Sequence, residues 1–347
     1  MAVTGGLDTR VILACHPPAA GSLSCYTFGG SFRDSEDVRL GRRIAELCRQ
    51  PYEVIEAGRE FVEQFPHFAE RSVHLTEGGV DVYRAADLYL SQKARQIAAV
   101  KVVGTYGSEI VRHAVMFKPM VPQEDLFQPE LLSSIEDARR TYARVREEHP
   151  VTFAAFRQSP WYHHGILALE QSQLSVRSPF LDNDFLRTVY REPKRDDPED
   201  DIRLRLIADG DPALARIRSD RGVGGGGNRI ATAISRSVLE FTFKAEYAYD
   251  YGMPQWLTRI DRLLSPLHPE RLFLGRHKLL HFRVWYRDAL ADYVRRMLLD
   301  PRTLARPYLK PRMLESIVNA HTRGERNYTT AIHKLLTMEL LHRLFFD

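Results

Sequence analysis

The first residues able to do chemistry stand at the very start of the chain, in Thr4-Gly5-Gly6-Leu7-Asp8-Thr9. Two adjacent glycines between an apolar stub and a helix start leave backbone N–H groups open to a phosphate, because no Cβ stands in the way. A helix beginning near Thr9 points the positive end of its dipole at the same spot. Carboxylate repels phosphate, so the natural task of Asp8 is to hold Mg2+ against phosphate oxygens. The same spelling also serves as a plain tight turn. The stub Met1-Ala2-Val3 is short against the ~5 to 6 residues of an average strand, which raises the expectation of further sequence upstream.

A phosphate-binding turn needs a sheet to carry it. The first hundred or so residues alternate short apolar runs with helical patterns, the signature of strands joined by crossover helices in a parallel sheet. Strands are expected over 2–3, 23–28, 52–55 and 100–103, with helices over 35–49, 61–71 and 85–99. Beyond about residue 115 the strand signals fade and long helix-period segments follow, over 130–148, 276–299 and 329–346. The expectation is an α/β fold, a parallel doubly wound sheet with a large helical C-terminal lobe, divided into a nucleotide-binding core (1–115) and a mostly helical lobe (116–347).

Composition narrows the partners. The 347 residues are 44% hydrophobic and carry 49 Lys and Arg against 45 Asp and Glu, too small a basic excess for a dedicated nucleic-acid face. No apolar run approaches the ~20 residues of a membrane helix and no secretory leader is legible, so no membrane is expected and the default location is cytoplasmic. Cys15, Cys25 and Cys48 are unclustered and read as reduced core thiols.

Thr4 to Thr9 resembles the Ser-Gly-Gly-x-Asp-Ser pyrophosphate loop of the asparagine synthetase and ATP-pyrophosphatase group. Further stretches agree in order. Tyr26-Thr27-Phe28-Gly29-Gly30 resembles the second strand, which flanks the adenine, and Glu36-Asp37 with Arg43-Ile44-Ala45 resembles the helix after it. Arg177-Ser178-Pro179-Phe180-Leu181-Asp182 is close to the Arg-x-Pro-Phe-Leu-Asp signature of asparagine synthetases. His321-Thr322-Arg323-Gly324 and the helix through Leu336, Glu339, Leu340 and Phe345 resemble the closing helix.

The resemblance implies a sheet of the adenine-nucleotide alpha-hydrolase type and an ATP-dependent amide-forming ligase. Such an enzyme adenylates a carboxylate, releasing AMP and pyrophosphate, for attack by ammonia or another amine. It implies ATP contacts from Val3, Thr4, Gly5, Gly6, Asp8, Thr9, Phe28, Gly30, Val103 and Gly104, and Mg2+ on Asp8 and Glu109. It also assigns the charge of the leaving pyrophosphate to Arg221, where the family uses a lysine. Tyr106 is a candidate for an acid/base or orienting role.

One stretch departs from the pattern. Val102 to Glu109 lies where the family carries Ser-Gly-Glu-Gly-x-Asp-Glu, so that Thr105 replaces a glutamate and Ser108 an aspartate, leaving Glu109 as the carboxylate. This keeps open a degenerate ATP-binding or scaffolding protein of the same fold, and a relative acting on RNA or in sulfur transfer. Full asparagine synthetases have a glutaminase domain whose nucleophile is the cysteine after the initiator methionine. Ala2 stands there, so a separate glutaminase domain or subunit, or another amine, is expected.

Other tempting groups have plainer readings. His277 and His281 share the i, i+4 spacing of metal ligands without a third ligand. The aromatics Phe241, Phe243, Tyr247, Tyr249, Tyr251 and Trp256 read as packing before stacking platforms. His163-His164 reads as part of a helix, and the charges over 194–205 as a solvated loop.

Overall fold

The computed structural model describes residues 1–115, 126–191, 201–225, 229–252, 254–256, 258, 261, 269–272 and 274–347. Its amino-terminal third alternates helix and strand: α1 (Asp8–Cys15), β1 (Cys25–Gly30), α2 (Glu36–Leu47), β2 (Tyr52–Ala57), α3 (Arg59–Thr76), α4 (Ala85–Ala94), β3 (Val100–Val102) and α5 (Gly107–Val111). Local chemistry explains these bounds. Ser35 caps α2 by accepting from Val38 N, and Glu36 and Asp37 place negative charge at the positive end of its dipole. Val38, Gly41, Ile44 and Ala45 recur at helical spacing and are buried. In α3 the buried face runs through Phe61, Phe65, Phe68, Ala69 and Val73, and the helix stops at Glu77 in a left-handed conformation.

The fold is mixed α/β and mostly helical, with two small parallel sheets. β1 pairs with β2 in parallel from Cys25↔Tyr52 to Gly30↔Ala57. β3 pairs in parallel with β4 (Ser175–Arg177), from Val100↔Ser175 to Val102↔Arg177. The described strands form two parallel pairs, and the stub at 2–3 contributes a single bridging residue between them. Ala2 bridges Tyr26 in parallel and donates to the Val102 carbonyl at 3.2 Å, and Val3 N donates to the Tyr26 carbonyl at 2.8 Å.

β4 was not expected, since three residues are too few to show alternation, and it lies beyond the anticipated boundary at residue 115. The rest of that part is helical: α6 (Pro129–Val145), α7 (His164–Gln171), α8 (Asn183–Tyr190), α9 (Ile202–Gly210), α10 (Arg229–Tyr247), α11 (Phe282–Arg287), α12 (Ala291–Leu298), α13 (Pro311–Thr322) and α14 (Thr329–Phe345). The wide-turn helix Phe153–His163 leads directly into α7. The helix expected over 276–299 is broken. Residues 276–281 are held as a loop by Glu246, whose carboxylate accepts from Gly275 N and His277 N, and a wide turn from Trp285 O to Leu290 N separates α11 from α12.

Two apolar clusters hold these elements, and each crosses residue 115. The larger packs Phe61, Phe65 and Leu88 against Phe282, Tyr286, Val294, Ile317 and Leu336. The smaller gathers Val3, Val11, Ile44 and Ile110 with Phe180, Ile207 and Ile217, and lies under the Thr4–Thr9 turn. Of the cysteines, Cys25 is buried as expected, whereas Cys15 is exposed.

Candidate functional site

The turn leaves the Met1–Val3 stub and enters α1. Val3 is fully buried, with its carbonyl accepting from Thr27 Oγ1. Gly6 N donates to Thr4 Oγ1 at 3.3 Å, and Gly5 N donates to Asp37 Oδ1 at 2.8 Å. Thr9 is buried, and its hydroxyl has no hydrogen-bond partner among the described residues.

Two other segments converge on this turn. The Val103-Gly104 step after β3 lies against α1: Val103 N is held by the Arg177 carbonyl at 3.0 Å, and a Cβ added at Gly104 would stand 2.9 Å from Asp8 Cβ and from Thr9 N. The second is the loop before Arg221. Asp220 N donates to the Gly5 carbonyl at 3.2 Å. Arg10, 1% exposed, donates to the same carbonyl at 2.7 Å and also to the carbonyls of Ile217 and Arg218. Asp37 and Asp220 both approach Gly5, and their proximity has an electrostatic cost. Burial, reinforced by Asp220, pushes the Asp37 carboxyl up to about 6, and burial also raises Asp220.

The adenine-flanking candidates sit at β1. The Phe28 ring lies beneath the Lys101 ammonium, 5.2 Å away, and Lys101 is itself paired with Glu170 at 3.1 Å. Gly30, at the strand's carboxyl end, is approached by the 275–281 loop: a Cβ there would stand 2.4 Å from the Leu279 carbonyl oxygen. Only glycine fits this crossing.

The candidate catalytic residues have specific partners. Tyr106, in a left-handed conformation with φ 74°, is buried, and its phenolic oxygen accepts from Ser159 Oγ at 2.6 Å. Burial raises its phenol above the ordinary value. Glu109, also buried, faces His163 Nε2 at 3.4 Å. The Arg221 side chain lies over the Phe243 ring, its guanidinium carbon 3.4 Å from the centroid, with Nε 3.5 Å from Asp220. The backbone beside Arg221 therefore reaches the turn, while its guanidinium is stacked on α10.

The partners of Asp8 and Glu109 decide whether they fit a shared metal. Asp8 accepts from Ser108 Oγ at 3.0 Å and from Arg203 Nη1 at 2.6 Å, whereas Glu109 belongs to the His163 pair. Each carboxylate is engaged separately, an arrangement that does not fit one divalent ion held between them. Among the described residues no group of three or more His, Cys, Asp or Glu side chains is placed to hold a metal. His277 instead hydrogen-bonds Thr242, with burial lowering its pKa to about 4, and His281 is buried between Glu246 and Asp250.

The Arg177 to Asp182 stretch is structural and joins the site. Phe180 is buried, Asp182 caps α8, and Ser178 Oγ donates to the Thr105 carbonyl at 2.5 Å. The sequence reading missed Arg203, the function of Asp37 as an acceptor, and Arg10. Asp37 had a local signal, its place in the first turn of α2. Arg203 had none, and its supposed solvated loop is a correction: Arg203 is 4% exposed and lies in α9, while 192–200 lie outside the described residues. Among the described residues no helix is long and apolar enough to cross a membrane. No protein-family model matches the chain, and no curated protein matches it.

Proposed function

We propose that the chain binds ATP with its triphosphate on the Thr4–Thr9 turn and uses it to adenylate a carboxylate, which ammonia or another amine then captures as an amide. The observation that carries this reading is the meeting of three segments at Gly5 and Asp8: the turn itself, the Val103-Gly104 step, and the Ile217–Arg221 loop, tied to Gly5 through Asp220 and Arg10. Taken as one sheet in the order β2, β1, stub, β3, β4, the strands put this meeting point at the carboxyl ends of the central strands, where ligands of wound α/β sheets collect. The unpartnered, buried Thr9 hydroxyl also supports it.

In this reading the phosphates displace Asp37 and Thr4 Oγ1 from Gly5 N and Gly6 N and meet Thr9, and Phe28 flanks the base, with the 275–281 loop moving off Gly30. The substrate carboxylate attacks the α-phosphorus, the bond to pyrophosphate breaks, and Arg221 swings from Phe243 to meet the departing charge. The amine then displaces AMP from the acyl group. The protein contributes positioning and charge neutralisation. A separate glutaminase domain or subunit is one source of ammonia. ATP–pyrophosphate exchange with a panel of carboxylic acids tests the reading, and acid-dependent exchange is expected.

A second reading, an ATP-binding or scaffolding protein without this chemistry, is favoured by one observation: Tyr106 and Glu109, the residues offered for catalysis, are both buried and engaged by the Phe153–His163 segment. ATP binding without exchange for any acid would select it.

A further inference from the structure

The charge on Asp8 is already matched within the fold. Arg203 Nη1 lies 2.6 Å from Asp8 Oδ1 and 2.9 Å from Ser108 Oγ, and Ser108 Oγ donates to Asp8 Oδ2 at 3.0 Å. The rest of the guanidinium is gripped by Asp201, from Nε at 2.9 Å and Nη2 at 2.6 Å, the paired geometry that orients an arginine most firmly. Arg112 stands 3.8 Å from the same Asp201 carboxylate and brings a second positive charge to the group. The Arg203 and Asp201 side chains are 5% and 7% exposed, so this pair is shielded from water, while the Asp8 side chain is 23% exposed.

The far side of Asp8 is walled by backbone. A Cβ at Gly107 would stand 2.6 Å from Asp8 Cγ and 2.7 Å from Oδ1. A magnesium ion demands near-octahedral oxygen ligands and keeps several waters, whereas both Asp8 oxygens already have donors and glycine backbone closes one side. A guanidinium fits where that hydrated ion does not.

We propose that Arg203 is the resident cation of Asp8, so that polyphosphate docks on the Thr4–Thr9 turn without a divalent ion bridging to that carboxylate. The guanidinium stays charged at any physiological pH and cannot dissociate, which makes the electrostatics of the turn independent of metal supply. The nucleotide half of this inference rests on the ATP reading above; the metal half does not.

The test uses the full chain and two probes. Mn2+ binding, followed by the loss of its free-ion spin resonance signal, is compared for wild type, Asp8→Asn, Arg203→Met, Arg203→Lys and the double variant Arg203→Met/Asp8→Asn. ATP binding is measured by calorimetry with Mg2+ and with EDTA. Asp8→Asn and Arg203→Lys are expected to leave Mn2+ uptake as in wild type, and Arg203→Met to gain one Mn2+ site that the double variant loses. Wild-type ATP affinity should change less than about threefold on chelation, and that of Arg203→Met more than about tenfold, a difference of the size that coupled ligands produce.

A wild-type Mn2+ site abolished by Asp8→Asn overturns the proposal, as does a loss of roughly tenfold or more in wild-type ATP affinity in EDTA. Should Arg203→Met fail to fold, the wild-type and Asp8→Asn comparison decides alone. If wild type binds no ATP in either buffer, the ATP reading fails, and the Mn2+ series still decides whether Arg203 serves as the cation.

Discussion

The buried guanidinium of Arg10 donates to the Gly5 carbonyl at 2.7 Å, and through the same group it holds the carbonyls of Ile217 and Arg218. One side chain thus fastens the start of the chain to a loop more than two hundred residues away. Arg10→Met keeps most of the volume and orphans these carbonyls. The expected cost is about 2–4 kcal/mol, since each buried polar group left unsatisfied costs ~1–3 kcal/mol and some desolvation is recovered. Urea unfolding measures it, and a loss under ~1 kcal/mol would contradict the clamp.

Asp37 makes stability depend on pH. Its folded pKa of about 6 lies above the ordinary 3.8, so the folded protein holds this proton more tightly than the unfolded chain does. Stability contributed by the protonated group is complete below about 3.8 and is lost as pH rises to about 6. Asp37→Asn keeps an oxygen for Gly5 N and removes the charge. Its unfolding midpoint should rise relative to wild type across that window, as denaturation curves at matched pH will record.

Gly107 is required by the side chain of Asp8. Adding Cβ there meets Asp8 Cγ at 2.6 Å. Gly107→Ala should destabilise by roughly 1–3 kcal/mol, the range of overpacking in a tight interior. Pairing it with Asp8→Gly, which removes both the carboxyl and the Cβ that also lies at 2.7 Å, should recover part of the loss in a double-mutant cycle.

Lys101 and Glu170 tie β3 to α7 with side chains 4% and 16% exposed. Glu170→Ala leaves a buried ammonium without its carboxylate and should cost about 3–5 kcal/mol. Replacing both, as Lys101→Met/Glu170→Leu, should restore much of the loss. A double-variant loss equal to the sum of the two single losses would mean that the pair is not coupled.

What could be read in advance was local. Ser35 with Glu36 and Asp37 announced α2, the phenylalanines of α3 repeat at helical spacing, and β1 and β2 begin within two residues of the expected strands. What could not be read depends on partners distant in sequence. β4 is three residues long and exists because Val103 and β3 pair with it. Apolar periodicity runs unbroken through 276–299, yet Glu246 captures two N–H groups at its start and holds a loop there. Arg203 lies 195 positions from the carboxylate it neutralises, a pairing with no trace in local spacing.

Gly6 isolates the question of whether phosphate approaches the glycine pair. A Cβ at Gly6 would meet only Thr4 Oγ1, at 3.4 Å, an ordinary contact, and Gly6 is not among the glycines with positive φ. Gly6→Ala should therefore fold with an unchanged melting temperature while placing a methyl group where a phosphate oxygen would lie. Calorimetric titration of ATP into wild type and Gly6→Ala is the direct measurement. The prediction is saturable wild-type binding weakened at least about tenfold in the variant, or ~1.4 kcal/mol. Equal ATP affinity in the two proteins, or none in wild type, would contradict it.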